Sequence, residues 1–216
     1  MKNVFSALIS LAAAAGFVTA AQAQDAQAGA KKAAMCIGCH GIPGYQASFP
    51  EIHKVPMISG QGAKYITSAL TAYKKGERKH PSMKAIAASL TDQDMADLGA
   101  FYSTQAGPAT AESAPAPTPP ATVAELLKKG NCASCHGENL NKPIDPSYPK
   151  LAGQHADYLF VALKAYQTEG NPQVGRGNAI MAGMAKPFSH AELKQMASYI
   201  ASLPTDLKTV PESRFR

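Results

Sequence analysis

The sequence predicts an all-α protein built as two tandem domains related by internal duplication, and three observations carry that expectation. Landmark residues recur along the chain at nearly constant spacing. Apolar residues inside each copy follow a helical period. A proline-rich stretch with nothing to bury separates the copies.

The repeat is read from matched segments. Cys36-Ile37-Gly38-Cys39-His40-Gly41 corresponds to Cys132-Ala133-Ser134-Cys135-His136-Gly137, 96 positions later. Val55 to Gln61 corresponds to Tyr148 to Gln154, 93 positions later, and Tyr65, Leu70 and Tyr73 match Tyr158, Leu163 and Tyr166 at the same offset. Met83 and Leu90 match Met181 and Phe188, 98 positions on. Small drifts in offset are what loop insertions between fixed elements produce.

Taken in chain order, Met1 to Ala23 reads as a cleaved secretory signal peptide. Lys2 supplies the charged start, Phe5 to Ala15 the apolar run, and Ala21-Gln22-Ala23 the small-x-small cleavage pattern. The run is too short for a membrane span, which needs about 20 apolar residues, and no later segment is long enough either. The mature chain is therefore expected in the periplasm, with an N-terminal domain at 24–107, a Pro/Ala-rich linker at 108–120 and a C-terminal domain at 121–216. Short helices are expected before each Cys pair, near Gln27 to Met35 and Val123 to Lys129. A longer helix in each half carries Tyr65, Ile66, Ala69, Leu70 and Tyr73, or Tyr158, Leu159, Ala162, Leu163 and Tyr166, on one face. Each half closes with a helix opened by a capping box, Thr91 to Asp94 and Ser189 to Glu192. No alternating strand pattern stands out.

Composition adds a constraint. Leu, Ile, Val and Phe together number 38 of 216 residues and Trp is absent, below the ~20% at which a chain begins to resemble a disordered one. The formal charge of +6 is too small to hold the chain open. Something other than amino acids is expected to supply part of the core.

All four cysteines fall in two Cys-x-x-Cys-His units. On a helical turn this spacing puts both sulfurs on one side with the His beside them, the geometry of covalent c-type haem attachment with His as an axial iron ligand. A four-Cys zinc site usually has its pairs about 15–20 residues apart, whereas 92 residues separate Cys39 from Cys132. A thiol–disulfide motif wants a βαβ context that is missing, and structural disulfides leave the paired His unexplained. The expectation is two haem c groups held by Cys36, Cys39, Cys132 and Cys135, with His40 and His136 on the irons.

Each iron needs a second axial donor, and a Met thioether is the usual choice in electron carriers. Met83 lies 43 residues beyond His40, and Met181 lies 45 beyond His136. Each stands in a loop seven residues before the apolar residue that precedes its capping box. The repeat register selects Met181 over Met184. Met95 and Met196, inside the closing helices, read as core, and Met35 and Met57 as packing. His53, His80, His155 and His190 lack a His at the matching position and read as surface or loop residues.

With its Cys-x-x-Cys-His-Gly units, Gly-Gln-x-x-x-Tyr helices and distal methionines, the mature chain resembles the dihaem cytochrome c4 family over nearly its whole length. The resemblance implies two tandem class I cytochrome c-like haem domains. Cys36, Cys39, His40 and Met83 would serve one haem, and Cys132, Cys135, His136 and Met181 the other. It also implies haems facing each other across a domain interface, and single-electron transfer towards a terminal oxidase or other respiratory acceptor. Two departures from the family stand out. The long linker points to looser docking of the halves. The segment Gly170 to Ile180 is longer than Gly76 to Ser82, and its Arg176 is either a contact to a haem propionate or a solvated loop arginine.

The charge is spread evenly over the two halves, and four propionates would nearly cancel it, which argues against nucleic-acid binding. Lys74 to Lys79 is the densest basic stretch, either a steering patch for an acidic partner or a solvated helix end. The expected partners are periplasmic or membrane-bound redox proteins such as an oxidase or a quinol-oxidising complex. The competing class is a dihaem enzyme, peroxidase-like or thiosulfate-oxidising, which needs an exchangeable axial position in one haem. A haem subunit of a larger complex is the third alternative.

Overall fold

The computed structural model describes residues 24–107 and 114–211. The expected signal peptide, residues 1–23, and residues 108–113 of the expected linker lie outside the described residues.

The N-terminal half runs α1 (Ala26–Lys32), α2 (Ala34–His40), α3 (Ala63–Lys75), α4 (Pro81–Ala88) and α5 (Asp92–Ser103). The C-terminal half repeats this order as α6 (Ala121–Lys129), α7 (Ala133–His136), α8 (Ala156–Gln167), α9 (Ala179–Ala185) and α10 (His190–Ala201). Local chemistry sets the helix ends. Asp25 accepts from the amides of Gln27 and Ala28 to start α1. Both predicted capping boxes form, Thr91 with Asp94 and Ser189 with Glu192. Gly76 ends α3 in the left-handed region at φ 77°.

In the first half, α5 packs across α1 and α3. Ile66, Leu70, Leu90, Met95, Leu98 and Tyr102 form the core there, with Cys36 and Met83 against its edge. Leu159, Ala197, Ile200 and Leu203 occupy the corresponding place in the second half, with Phe188, Leu193 and Met196 beside them. The crossing of α1 over α5 depends on Gly29, where a Cβ would lie 2.1 Å from the Asp97 carbonyl oxygen. Asp97, itself buried, accepts hydrogen bonds from the Asp25 amide at 3.0 Å and from Gln93 Nε2 at 2.6 Å, and pairs with Lys32 at 3.2 Å.

Four two-residue strands, absent from the sequence expectation, form two antiparallel pairs. β1 (Gln46–Ala47) pairs with β2 (His53–Lys54) inside the first half. β3 (Arg78–Lys79) pairs with β4 (Gly175–Arg176) across the halves. Two residues are too few for alternation to register in a sequence.

The halves are docked closely, contrary to the looseness that the linker led us to expect. Gln61 Nε2 donates to the Lys150 carbonyl at 3.0 Å while the Lys150 amide donates back to Gln61 Oε1 at 2.9 Å. The matching residue Gln154 does the same to Met57, at 2.9 and 3.0 Å. Glu51 pairs with Lys164 at 2.5 Å. The chain after α10 returns over the first half, where the Gly107 amide donates to the Asp206 carbonyl at 2.7 Å and the Lys208 amide to the Ser59 carbonyl at 3.1 Å. Linker length does not limit docking when backbone groups are paired on both sides.

Three outcomes follow from this packing. Gly29→Ala is expected to destabilise the first half by about 1–3 kcal/mol through overpacking, measured by chemical denaturation. Gln61→Ala leaves the amide and carbonyl of half-buried Lys150 without their partner, at no more than about 1–3 kcal/mol per group, and should speed proteolytic cleavage between the halves. The hydrogen bond from the Asp25 amide, opposed by burial and reinforced by Gln93 and Lys32, holds the Asp97 carboxyl below the usual carboxylate range. Its contribution is complete above the unfolded value near 4 and is lost as pH falls through the depressed folded value. Amide protection factors in α1 should fall over that acid range, and Asp97→Asn should reduce that fall to the part set by the Lys32–Asp94 pair.

Candidate haem-binding sites

Helix α2 carries Cys36, Cys39 and His40, and the single turn α7 ends on His136 immediately after Cys135. No disulfide joins the four cysteines; Cys39 is exposed and the other three are half-buried. Burial pushes the Cys36 and Cys132 thiols up, the opposite of the lowered values that make a redox-active Cys-x-x-Cys reactive. Gly137 follows His136 at φ 83°, where a Cβ would meet the Lys142 carbonyl oxygen at 2.2 Å; a side chain cannot stand there.

Both histidines are anchored alike. His40 Nδ1 lies 2.8 Å from the Pro56 carbonyl oxygen, and His136 Nδ1 lies 3.0 Å from that of Pro149. A carbonyl only accepts, so Nδ1 carries the proton and Nε2 is left with its lone pair free for a metal. Burial lowers both imidazoles, with the carbonyl bonds opposing it, which keeps them neutral at physiological pH.

Met83 and Met181 occupy the same position of matching helices. Each stands third from the N-terminus of its short helix, in the first turn of α4 and of α9, not in a loop as the sequence led us to expect. The N-cap side chain accepts from the Met backbone amide in both cases, from Met83 to His80 Nδ1 at 3.4 Å and from Met181 to Asn178 Oδ1 at 2.9 Å. Met181 is half-buried and Met184 exposed. His80 is thus engaged as a helix cap. His53, expected at the surface, is buried and bonded through Nδ1 to the Glu51 carbonyl at 2.8 Å, while Met35, expected to pack, is exposed. Met95 and Met196 are core.

Between the halves lies a cluster that the sequence reading left out. Arg78 and Arg176 face each other as direct partners in β3 and β4. Arg78 donates to the Tyr65 and Tyr158 hydroxyls, both at 3.2 Å, and Arg176 donates to Tyr158 at 3.0 Å. Arg78 stacks on Tyr73 at 4.6 Å from the ring centre, and Arg176 on Tyr166 at 5.4 Å. Arg176 is therefore not a solvated loop residue. The basic stretch from Lys74 is largely committed too, with Lys74 bonded to the Leu90 carbonyl at 2.5 Å and Lys79 to that of Asn171 at 2.6 Å. Burial pushes the Tyr65 phenol up to about 12, with Arg78 opposing. Burial acts the same way on Tyr158, but Arg176 and Arg78 outweigh it and bring the phenol down to about 8. The signal for this cluster was present in the repeat: Arg78 and Arg176 share the offset of the two methionines, and Tyr65, Tyr73, Tyr158 and Tyr166 are repeat partners.

Two sites, each with a Cys pair and a neutral His presenting Nε2, supply the attachment points and one iron donor for covalently bound haem. Among the described residues no helix is long and apolar enough to cross a membrane.

Comparison with known proteins agrees with this chemistry. The cytochrome c family model matches the chain twice, over residues 26–105 and 121–204. Cytochrome c4 of Azotobacter vinelandii is 30% identical, covering 91% of this chain and 98% of its own. A thiosulfate dehydrogenase electron acceptor of Stutzerimonas stutzeri is also 30% identical, over 89% of this chain and 94% of that protein. The crystal structure of reduced recombinant cytochrome c4 from Pseudomonas stutzeri superposes with a TM-score of 0.60 at 29% identity, covering 84% of this chain and 100% of that one. Duplicated haem-attachment chemistry in a duplicated helical fold, matched at this length, makes the chain a member of the cytochrome c family, a dihaem electron-transfer protein of the cytochrome c4 type.

Proposed function

We propose that this protein carries single electrons between periplasmic redox proteins, on a path towards a terminal oxidase or another respiratory acceptor, and that it is a carrier and not an enzyme. In this reading Cys36 and Cys39 form the thioether links of the first haem, with His40 and Met83 as its axial ligands. Cys132, Cys135, His136 and Met181 serve the second. The observation that carries it is the duplication of one anchored ligand pair: a His held by a proline carbonyl and a Met held by a helix cap, in both halves.

Bound haem supplies an iron that exchanges one electron at a time. The chain's own residues hold the donors in place. The Pro56 and Pro149 carbonyls fix the imidazole tautomer and its orientation. The N-cap bonds of His80 and Asn178 hold the first turns that carry Met83 and Met181, so a change of charge at the site need not move the ligands. Two protein ligands per iron leave no axial position for a substrate, which favours the carrier over a peroxidase-like or thiosulfate-oxidising enzyme. The relative named as an electron acceptor of thiosulfate dehydrogenase supports a donor of that class as one partner. The periplasmic placement rests on the signal pattern of residues 1–23.

The oxidised protein should show a near-infrared Met-sulfur-to-iron band whose intensity accounts for both haems. Met83→Ala and Met181→Ala should each remove about half of it, and Met184→Ala none. High-spin features or rapid cyanide binding in the resting protein would overturn the carrier reading. Replacing all four cysteines by Ala should abolish cooperative thermal unfolding, because the haems complete a core that the side chains leave thin.

A further inference from the structure

We propose that the short segment after α10, from Thr205 to Lys208, is a staple that positions both haem-site histidines by holding the loop that orients each. The proposal rests on the haem sites assigned above and makes Asp206 and Lys208 positioning residues for electron transfer.

Each histidine takes its orientation from a proline carbonyl, His40 from Pro56 and His136 from Pro149. The staple grips the chain close to both prolines. Three residues past Pro56, the Ser59 carbonyl accepts from the Lys208 amide at 3.1 Å in an antiparallel bridge. Directly after Pro149, Lys150 pairs through Nζ with Asp206 Oδ2. The Asp206 carbonyl also accepts from the Gly107 amide at 2.7 Å, at the end of the first half. Three residues of chain thus reach the histidine loops of both halves, in addition to the bonds that Gln154 and Gln61 make there.

The segment is firmly seated. Asp206 and Leu207 are 7% and 5% exposed. A buried carboxylate needs its cation in place. Asp206 Oδ1 is buried with no hydrogen-bond partner among the described residues, so the Lys150 ammonium fixes this side chain. Two repeat-partner glycines open the passage. A Cβ on Gly60 would lie 2.6 Å from the Asp206 carbonyl oxygen, and one on Gly153 2.1 Å from Thr205 Cγ2. The segment follows residue 204, the last that the cytochrome c family model matches, so it is not part of the domain that the model describes.

The two grips differ. Ser59 is held on both sides, its hydroxyl donating to Gln105 Oε1 at 2.7 Å. Its repeat partner Ala152 has no hydroxyl, and its amide donates within its own half to the Leu140 carbonyl at 3.0 Å. Lys208 therefore acts on the first haem and Asp206 on the second. A firm hydrogen bond from Nδ1 makes an imidazole a stronger donor, and a stronger donor stabilises the oxidised iron. Loosening either loop weakens that bond and raises the midpoint of the haem it serves.

The test is spectroelectrochemical titration of the holoprotein, with the haems told apart by Met83→Ala and Met181→Ala. Lys208→Pro removes the amide donor. It should raise the first haem's midpoint threefold or more in the one-electron equilibrium, ~28 mV on the 59 mV-per-decade scale. It should also change that haem's low-spin ferric EPR g values, which report imidazole orientation. Lys208→Met keeps the amide and should leave the g values as they are. Lys150→Met and Asp206→Asn change the charge in opposite directions, yet both should raise the second haem's midpoint by the same margin. Shifts of opposite sign would mean a Coulomb effect alone, and equal effects of Lys208→Pro and Lys208→Met would mean that the amide plays no part; either result overturns the staple. If Lys208→Pro does not fold, hydrogen exchange in the wild-type holoprotein takes its place. The Lys208 amide should then be as protected as the Met57 amide, and unprotected exchange there sinks the proposal. Absence of the Met-sulfur-to-iron band from the wild type would count against the methionine ligands, a failure read independently of these shifts.

Discussion

Gln61 and Gln154 each exchange two hydrogen bonds with backbone of the opposite half, and the rest of the interface depends on that exchange. Both side chains are buried, 3% and 4% exposed, so the amides have no water to turn to. Each satisfies a donor and an acceptor that a buried loop would otherwise leave unpaired. Because the two glutamines are repeat partners and bind repeat-partner residues, the halves meet about an approximate twofold axis. Any feature close to that axis is doubled and placed against its own copy.

That symmetry explains why Arg78 meets Arg176. A duplicated domain with one arginine beside the interface necessarily brings two there, and repulsion between them is the physical result. Stacking on Tyr73 and Tyr166 offsets part of it. Electron transfer between two sites in one chain depends on their separation and on their relative potentials, and this interface bears on both.

Much of the functional site was legible in the sequence, because its chemistry is local. The Cys-x-x-Cys-His spacing needs only one helical turn, and the capping boxes at Thr91 and Ser189 need only four residues each. Met83 and Met181 were selected by register as axial candidates, and their helical setting was missed: α4 and α9 are short, and their N-caps, His80 and Asn178, are different residue types. His53 was misread because burial is not a property of the residue; it follows from the contact of β2 with α8, which no local pattern announces.

The sequence alone determined the duplication, the helical class, the two Cys-x-x-Cys-His units and the axial candidates, since all of these are written in spacings along the chain. The tertiary structure alone decided that the halves dock tightly despite the proline-rich linker, that Asp206 and Lys208 return over the first half, and that two arginines face each other with no acidic partner among the described residues. These contacts join residues that are far apart in the chain, and they depend on the rotation of one half against the other. Buried hydrogen bonds set that rotation, and those bonds exist only once both halves have folded.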